Sequence, residues 1–264
     1  MVDSRKPPLA GKRIVATRAP EQAGELVREL NARGAEVLLF PMVRFAPPED
    51  WAPLDKALRR LNEFDAVIFL SANAVRYVFE RCRHLSVKFG AGERPLPFVA
   101  AVGPTTERAL IEEGSRADYV GRERTGESLA RELASRIHNG AVLLPRSDRG
   151  NEAVSTALGK LGARVTEVTA YRTTLPEKID AAVADRIRRG DVDVVMFASP
   201  SAVQNFAATL GKEDAARIAK TVNFAAIGPT TAQSLRDVGL PVTIQAVESS
   251  AQGLANALSR FYNQ

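Results

Sequence analysis

Residues 100–106 read Ala-Ala-Val-Gly-Pro-Thr-Thr and return as Ala-Ala-Ile-Gly-Pro-Thr-Thr at 225–231, an offset of 125 positions. Ser71-Ala72-Asn73-Ala74-Val75 pairs with Ser199-Pro200-Ser201-Ala202-Val203 at an offset of 128, which also carries Gly34-Ala35 onto Gly162-Ala163 and Arg18 onto Arg146. Ser128-Leu129-Ala130 maps onto Gly253-Leu254-Ala255 at 125, so the register slips by three between the serine and glycine motifs. A repeat of this kind requires one supersecondary pattern to be satisfied twice by the same chain. Read alone, it suggests two homologous halves, about 11–139 and 140–264.

Within each half, short β-rich apolar runs alternate with longer amphipathic ones. Strands are expected over 13–17, 66–70 and 98–102, each followed by a helix, over 22–33, 74–82 and 105–113. The second half repeats the rhythm with strands over 141–144, 192–198 and 223–227 and helices beginning near Glu152, Ser201 and Thr230. Continuous apolar strands separated by helices imply a parallel sheet covered on both faces. The expected fold is α/β, with two doubly wound parallel-sheet domains of similar topology and a cleft between them.

Composition removes other classes. The longest apolar runs are five residues, against the roughly 18 to 20 that a membrane helix needs, so no membrane association is expected. The polar, Pro-rich start carries no secretory pattern and Cys82 is the lone cysteine, which together predict a reducing, cytoplasmic setting. The net charge of +5 comes from dispersed cations, 28 of them Arg among 36, and so allows an anionic partner without requiring one and gives little support to nucleic acid.

In an open parallel sheet, ligands lie beyond the carboxyl ends of the strands, where helix N-termini present free N–H groups. Ser71, Ser199 and the two Gly-Pro-Thr-Thr turns all fall at such ends. Glycine allows close approach, proline suits the first helical turn, and threonine offers a capping hydroxyl. Each motif alone reads as a helix cap, but four in two related domains suit a ligand with several carboxylates or phosphates. Phosphate-binding, dinucleotide and nucleophile-elbow motifs are missing, no metal-ligand spacing appears, and His84 and His138 read as solvated. Cys82 lies between Arg81 and Arg83, which would favour its thiolate, yet a lone helical cysteine reads first as packing. At offset 128 Tyr171 replaces Val43 while Arg172 matches Arg44. Its hydroxyl is the best proton donor if that segment borders the cleft.

These residues resemble the uroporphyrinogen-III synthase family over essentially the whole chain. The carriers are Ala16-Thr17-Arg18-Ala19-Pro20, Phe69-Leu70-Ser71-Ala72-Asn73-Ala74-Val75, Ala101-Val102-Gly103-Pro104-Thr105, Tyr171, Phe197-Ala198-Ser199-Pro200-Ser201-Ala202-Val203 and Ala226-Ile227-Gly228-Pro229-Thr230-Thr231-Ala232. The Thr-Ser that commonly closes the serine motifs reads Leu70-Ser71 and Ala198-Ser199 here.

The resemblance implies an interleaved chain, with domain one formed by 1–38 and 173–264, domain two by 39–172, and a two-stranded linker near 37–45 and 165–174. It implies a cytoplasmic, monomeric lyase of tetrapyrrole (haem, sirohaem, cobalamin) biosynthesis, with neither cofactor nor metal. The reaction closes hydroxymethylbilane, a linear tetrapyrrole with eight carboxylates, to uroporphyrinogen III. Water is lost and ring D is inverted through a spiro intermediate. Tyr171 and Thr231 are then the expected catalytic residues. Thr17, Arg18, Ser71, Gly103, Thr105, Arg146, Ser199, Gly228 and Thr230 are the expected substrate-binding ones. Transient contact with hydroxymethylbilane synthase stays open, and the competing reading is a two-domain small-anion or tetrapyrrole binding or sensor protein without catalysis.

Overall fold

The computed structural model describes residues 6–89, 97–123, 125–150 and 152–263. Two compact units divide the chain, Met1–Arg44 with Thr174–Gln264 (unit 1) and Phe45–Thr173 (unit 2). Unit 1 begins with β1 (Arg13–Ala16), α1 (Pro20–Ala32) and β2 (Glu36–Leu39). The chain then forms β3 (Arg44–Ala46), α2 (Ala52–Arg59), β4 (Ala66–Phe69), α3 (Ala72–His84), β5 (Phe98–Ala101), α4 (Pro104–Glu112), β6 (Tyr119–Val120), α5 (Gly126–Glu132), α6 (Ala134–Ile137), β7 (Ala141–Ser147), α7 (Ala153–Lys160) and β8 (Arg164–Thr174). It returns to unit 1 with α8 (Ala181–Arg188), β9 (Val194–Phe197), α9 (Pro200–Leu210), α10 (Lys212–Ile218), β10 (Asn223–Ala226), α11 (Pro229–Asp237), β11 (Ile244–Gln245) and α12 (Ala251–Tyr262).

The expected α/β architecture is present. One sheet has the order β11-β10-β9-β1-β2 and the other β3-β8-β7-β4-β5-β6. The repeat maps them strand for strand. β1 corresponds to β7, β2 to β8, β9 to β4, β10 to β5 and β11 to β6, with identical parallel registers: Ile14 opposes Val194 as Val142 opposes Ala66. Likewise Arg13 opposes Glu36 as Ala141 opposes Arg164. Unit 1 is therefore a five-strand doubly wound sheet of order 2-1-3-4-5, unit 2 repeats that arrangement in circularly permuted chain order, 5-4-1-2-3, and β3 adds one edge strand beside β8. The first crossing is not the single extended segment expected over 37–45. It breaks into β2 and β3 around Pro41, which lacks the N–H a ladder needs.

Strands β4 and β9 are buried at all four positions, as central strands covered on both faces must be. In unit 1, Leu26 and Leu30 of α1 pack with Leu254 and Leu258 of α12 on one face. A second cluster joins Phe40, Phe197, Phe206 and Phe224, with ring centroids 5.1–6.4 Å apart. In unit 2, α2, α3 and α4 cover one face through Leu54, Leu58, Val75, Val78 and Leu110, and α5 and α7 cover the other through Leu129 and Leu158. Full burial of each such side chain contributes about 1.5–3 kcal/mol.

An aspartate keeps the central strands of each sheet in step. Asp193 accepts from the Arg13 N–H at 2.8 Å while its own N–H donates to the Arg13 carbonyl at 2.8 Å. Asp65, its repeat mate, does the same with Ala141, again at 2.8 Å in both directions. Among the described residues no helix is long and apolar enough to cross a membrane.

Two expectations follow from this packing. A Cβ on Gly253 would stand 2.2 Å from the Glu248 carbonyl oxygen, whereas Ser128 occupies the matching place in α5 without strain and donates to Glu132 at 3.0 Å. Gly253→Ala should lower unfolding stability by about 1–3 kcal/mol, read from the denaturant midpoint, as overpacking does. Burial pushes the Cys82 thiol up to about 11 despite Arg83, while Arg81 is spent on Asp55 through two 2.6 Å hydrogen bonds. The thiol should therefore resist iodoacetamide at pH 8 in the folded protein and react once unfolded; fast labelling of folded protein would contradict this burial.

Candidate active site

Successive crossovers in a doubly wound sheet diverge between strands 1 and 3, leaving a crevice at their carboxyl ends. In unit 1 that point lies between β1, followed by Thr17 and Arg18, and β9, followed by Ser199. In unit 2 it lies between β7, which ends on Arg146 and Ser147, and β4, followed by Ser71. Both serines are N-caps in the same extended conformation, with φ −159°. Ser71 Oγ accepts from the Ala74 N–H at 3.1 Å and Ser199 Oγ from the Ala202 N–H at 3.3 Å.

The glycine turns differ from expectation in one respect. Gly103 and Gly228 are themselves the N-caps of α4 and α11, followed by proline, and no threonine hydroxyl caps either helix. Thr105 and Thr230 are exposed, while Thr106 and Thr231 are buried at 3% exposure. The N–H groups of Thr105 and Thr230 occupy the second helical position, where a helix supplies no acceptor, so they remain available to a ligand. A Cβ on Gly228 would meet Ser249 Oγ at 2.6 Å, which explains a residue without a side chain there.

Thr17 is buried and donates through Oγ1 to the Met196 carbonyl at 2.7 Å, tying β1 to β9. Arg18 is half-buried. Withdrawal from water lowers its pKa, Glu25 opposes that effect, and among the described residues nothing accepts a hydrogen bond from its guanidinium. Arg146 is engaged instead: it pairs with Glu167 and donates to the Gly150 carbonyl at 2.6 Å, bracing the turn after β7.

Tyr171 sits near the end of β8, opposite Ser147, where the register shifts between Arg146 and Ser147. Its ring stacks on Tyr77, with centroids 5.7 Å apart at 18°, and meets Phe45 edge-on at 5.7 Å and 77°. At 7% exposure its hydroxyl lies 3.1 Å from Ser71 Oγ. Burial raises the phenol pKa above its ordinary value, with Asp148 adding to the rise and the Ser71 and Asn73 bonds opposing it. The group therefore stays protonated throughout the neutral range. Asp148 is held by the Thr173 N–H at 2.9 Å and Ser147 Oγ at 3.0 Å.

The structure thus gathers Tyr171 and Ser71 in unit 2. It adds Asn73 and Asp148, which sequence reasoning did not select. Comparing Asn73 with Ser201 across the repeat would have marked Asn73, just as comparing Tyr171 with Val43 marked the tyrosine. Gly103 and Thr105 form their own turn in unit 2, and Ser199, Gly228, Thr230 and Thr231 lie at the corresponding turns of unit 1. Among the described residues no three His, Cys, Asp or Glu side chains converge to hold a metal ion.

The family model for uroporphyrinogen-III synthase HemD matches residues 24–256. The uroporphyrinogen-III synthase of Synechococcus elongatus is 34% identical over 97% of this chain and 98% of its own. A putative uroporphyrinogen-III synthase of Methanothermobacter thermautotrophicus is 33% identical over 86% and 90%. In fold, the Thermus thermophilus uroporphyrinogen III synthase crystal structure superposes with a TM-score of 0.67 at 20% identity, covering 96% of this chain and 99% of that one. The Helicobacter pylori uroporphyrinogen-III synthetase follows at 0.60 and 16%, covering 93% and 97%. With a match running from α1 into α12, through every serine and glycine turn described above, the chain belongs to the uroporphyrinogen-III synthase family.

Proposed function

We propose that this chain closes hydroxymethylbilane to uroporphyrinogen III, a hydro-lyase reaction of tetrapyrrole biosynthesis, with Tyr171 as its acid. The observation that carries the reading is the Tyr171 phenol, kept neutral by burial beside Ser71 at the crevice of unit 2, where unit 1 has only Val43. As the hydroxymethyl C–O bond breaks, its electron pair goes to oxygen and the phenol proton joins it, releasing water. The azafulvene cation left behind is stabilised by its own pyrrole nitrogen, so the demand on the acid is moderate. The far ring attacks to give the spiro intermediate, which fragments and recloses with ring D reversed. The carbon-bound proton lost at rearomatisation restores Tyr171.

Because the unassisted reaction gives the uninverted isomer, holding the chain ends is the larger task. The N–H groups at Ser71, Gly103 and Thr105 in unit 2, and at Ser199, Gly228 and Thr230 in unit 1, would receive substrate carboxylates, reinforced by positive helix ends. Arg18 supplies a guanidinium that no described residue hydrogen-bonds. Thr17 and Arg146 serve as braces behind this surface, and Thr231 meets the reacting rings from α11. The enzyme works in the cytoplasm as a monomer, taking its unstable substrate from hydroxymethylbilane synthase by transient contact. The alternative of a sensor or binding protein without catalysis is disfavoured by the family match.

Purified protein given hydroxymethylbilane should yield predominantly the type III isomer by chromatography; type I alone would end the assignment. Tyr171→Phe should cut turnover about a hundredfold, the low end of what a general acid contributes, while thermal unfolding stays near that of the parent. Unchanged turnover would remove Tyr171 from the chemistry. Thr231→Ala should slow turnover several-fold, on the scale of one lost hydrogen bond, and normal kinetics would leave Thr231 a packing residue.

A further inference from the structure

Two arginines hold one place in the repeat and have opposite surroundings. Arg18 and Arg146 stand 128 positions apart, at the carboxyl ends of β1 and β7. Arg146 is spent on the protein itself, pairing with the Glu167 carboxylate and donating to the Gly150 carbonyl at 2.6 Å. Arg18 has neither kind of partner. Among the described residues no carboxylate comes within ion-pair distance of its guanidinium and nothing accepts a hydrogen bond from it, although Glu25 acts on it from farther off.

The repeat accounts for the difference. Glu167 lies opposite Leu144 in the β7–β8 ladder, and Leu39 lies opposite Ala16 in the β1–β2 ladder. Those registers are equivalent, so position 39 is the one from which Glu167 reaches its arginine in unit 2. A leucine there offers no acceptor. The counterpart of Gly150 is Gln22, which lies inside α1, where main-chain carbonyls are engaged in helical bonds. Unit 1 has thus kept the cation and lost both groups that satisfy it. A guanidinium drawn halfway out of water without an anion is unfavourable, and Leu39 itself stays 40% exposed on the edge strand.

A glutamate side chain is chemically a propionate, two methylene groups ending in a carboxylate. Each pyrrole of hydroxymethylbilane carries one acetate and one propionate. We infer that Arg18 takes a propionate of the substrate in the place that Glu167 fills beside Arg146, with the methylene groups of that propionate against Leu39. This rests on the synthase reading proposed above. The positive end of α1, which begins two residues after Arg18, favours the same negative charge. An acetate is one methylene short of the reach that Glu167 displays.

The test puts the carboxylate back into unit 1. In Leu39→Glu the new side chain should pair with Arg18 and keep the substrate's propionate out. KM for hydroxymethylbilane should rise about tenfold, the low end for a hydrogen bond to a charged group, with kcat little changed. Leu39→Gln, equal in length but uncharged, should cost far less, and Arg18→Gln should raise KM on the same scale as Leu39→Glu. Equal penalties for the two Leu39 variants, or an unchanged KM in Arg18→Gln, would overturn the inference. A second readout needs no turnover. The introduced carboxylate, followed by 13C NMR, should titrate below the ordinary glutamate range in Leu39→Glu and return to it once Arg18→Gln is added. An ordinary midpoint with Arg18 in place would refute the equivalence with Glu167. If the parent forms only the type I isomer, the synthase assignment fails instead, and the titration still reports whether Arg18 commands that position.

Discussion

The carboxyl edge of a parallel sheet can gather chemistry only if the strands on either side of the switch point keep step. Each sheet here settles that register at its opposite end. Asp193 and Asp65 grip the first residue of the neighbouring strand through both a carboxylate and a main-chain bond. One residue of slippage would exchange the two faces of a strand. The serine caps and the turns after β1 and β7 would then leave their places. With register fixed, Thr17 reaches the Met196 carbonyl in unit 1 and Ser71 reaches the phenol in unit 2.

Duplication left two copies of a donor-rich edge that differ in a few side chains. Both copies keep the serine cap and the glycine turn. Unit 2 adds a tyrosine near the end of a long strand, an asparagine in the first turn of the helix that Ser71 caps, and aromatic walls. Unit 1 has an apolar residue at the tyrosine position and keeps a half-buried arginine from which no described residue accepts a hydrogen bond. In the proposed reaction, neutral donors and a neutral acid suit a substrate that carries its own negative charges and makes its own cation, where a charged acid–base pair would be costly to bury.

Fold class was readable because buried parallel strands leave unbroken apolar runs, and because the repeat offset matches each run with a counterpart. The repeat could not say which strands share a sheet. A contiguous arrangement and a permuted one preserve the same offsets, and the pairing of β1 with β9 and of β7 with β4 is what separates them. The aspartate clamps were overlooked although Asp65 and Asp193 stand 128 apart, since a polar residue before a strand reads as loop. The threonines were assigned as caps because threonine caps well, but glycine holds that place at both turns.

Unit 1 is assembled from two pieces of chain, and its first strand bonds residues 180 positions away. Such separations ordinarily cost closure entropy and slow folding. Here the intervening chain is a unit with its own core, opened by β3 and closed by β8, neighbours in one sheet. At their outer ends the Thr174 hydroxyl bonds the Arg44 carbonyl at 3.4 Å. Once unit 2 has formed, the long excursion shrinks to a short staple, and the two pieces of unit 1 meet as though joined by a tight loop. During synthesis, at roughly 5–20 residues per second, β1 and β2 must wait on the order of ten seconds for β9. The inserted unit is thus fully synthesised before the strand that β1 pairs with has been made.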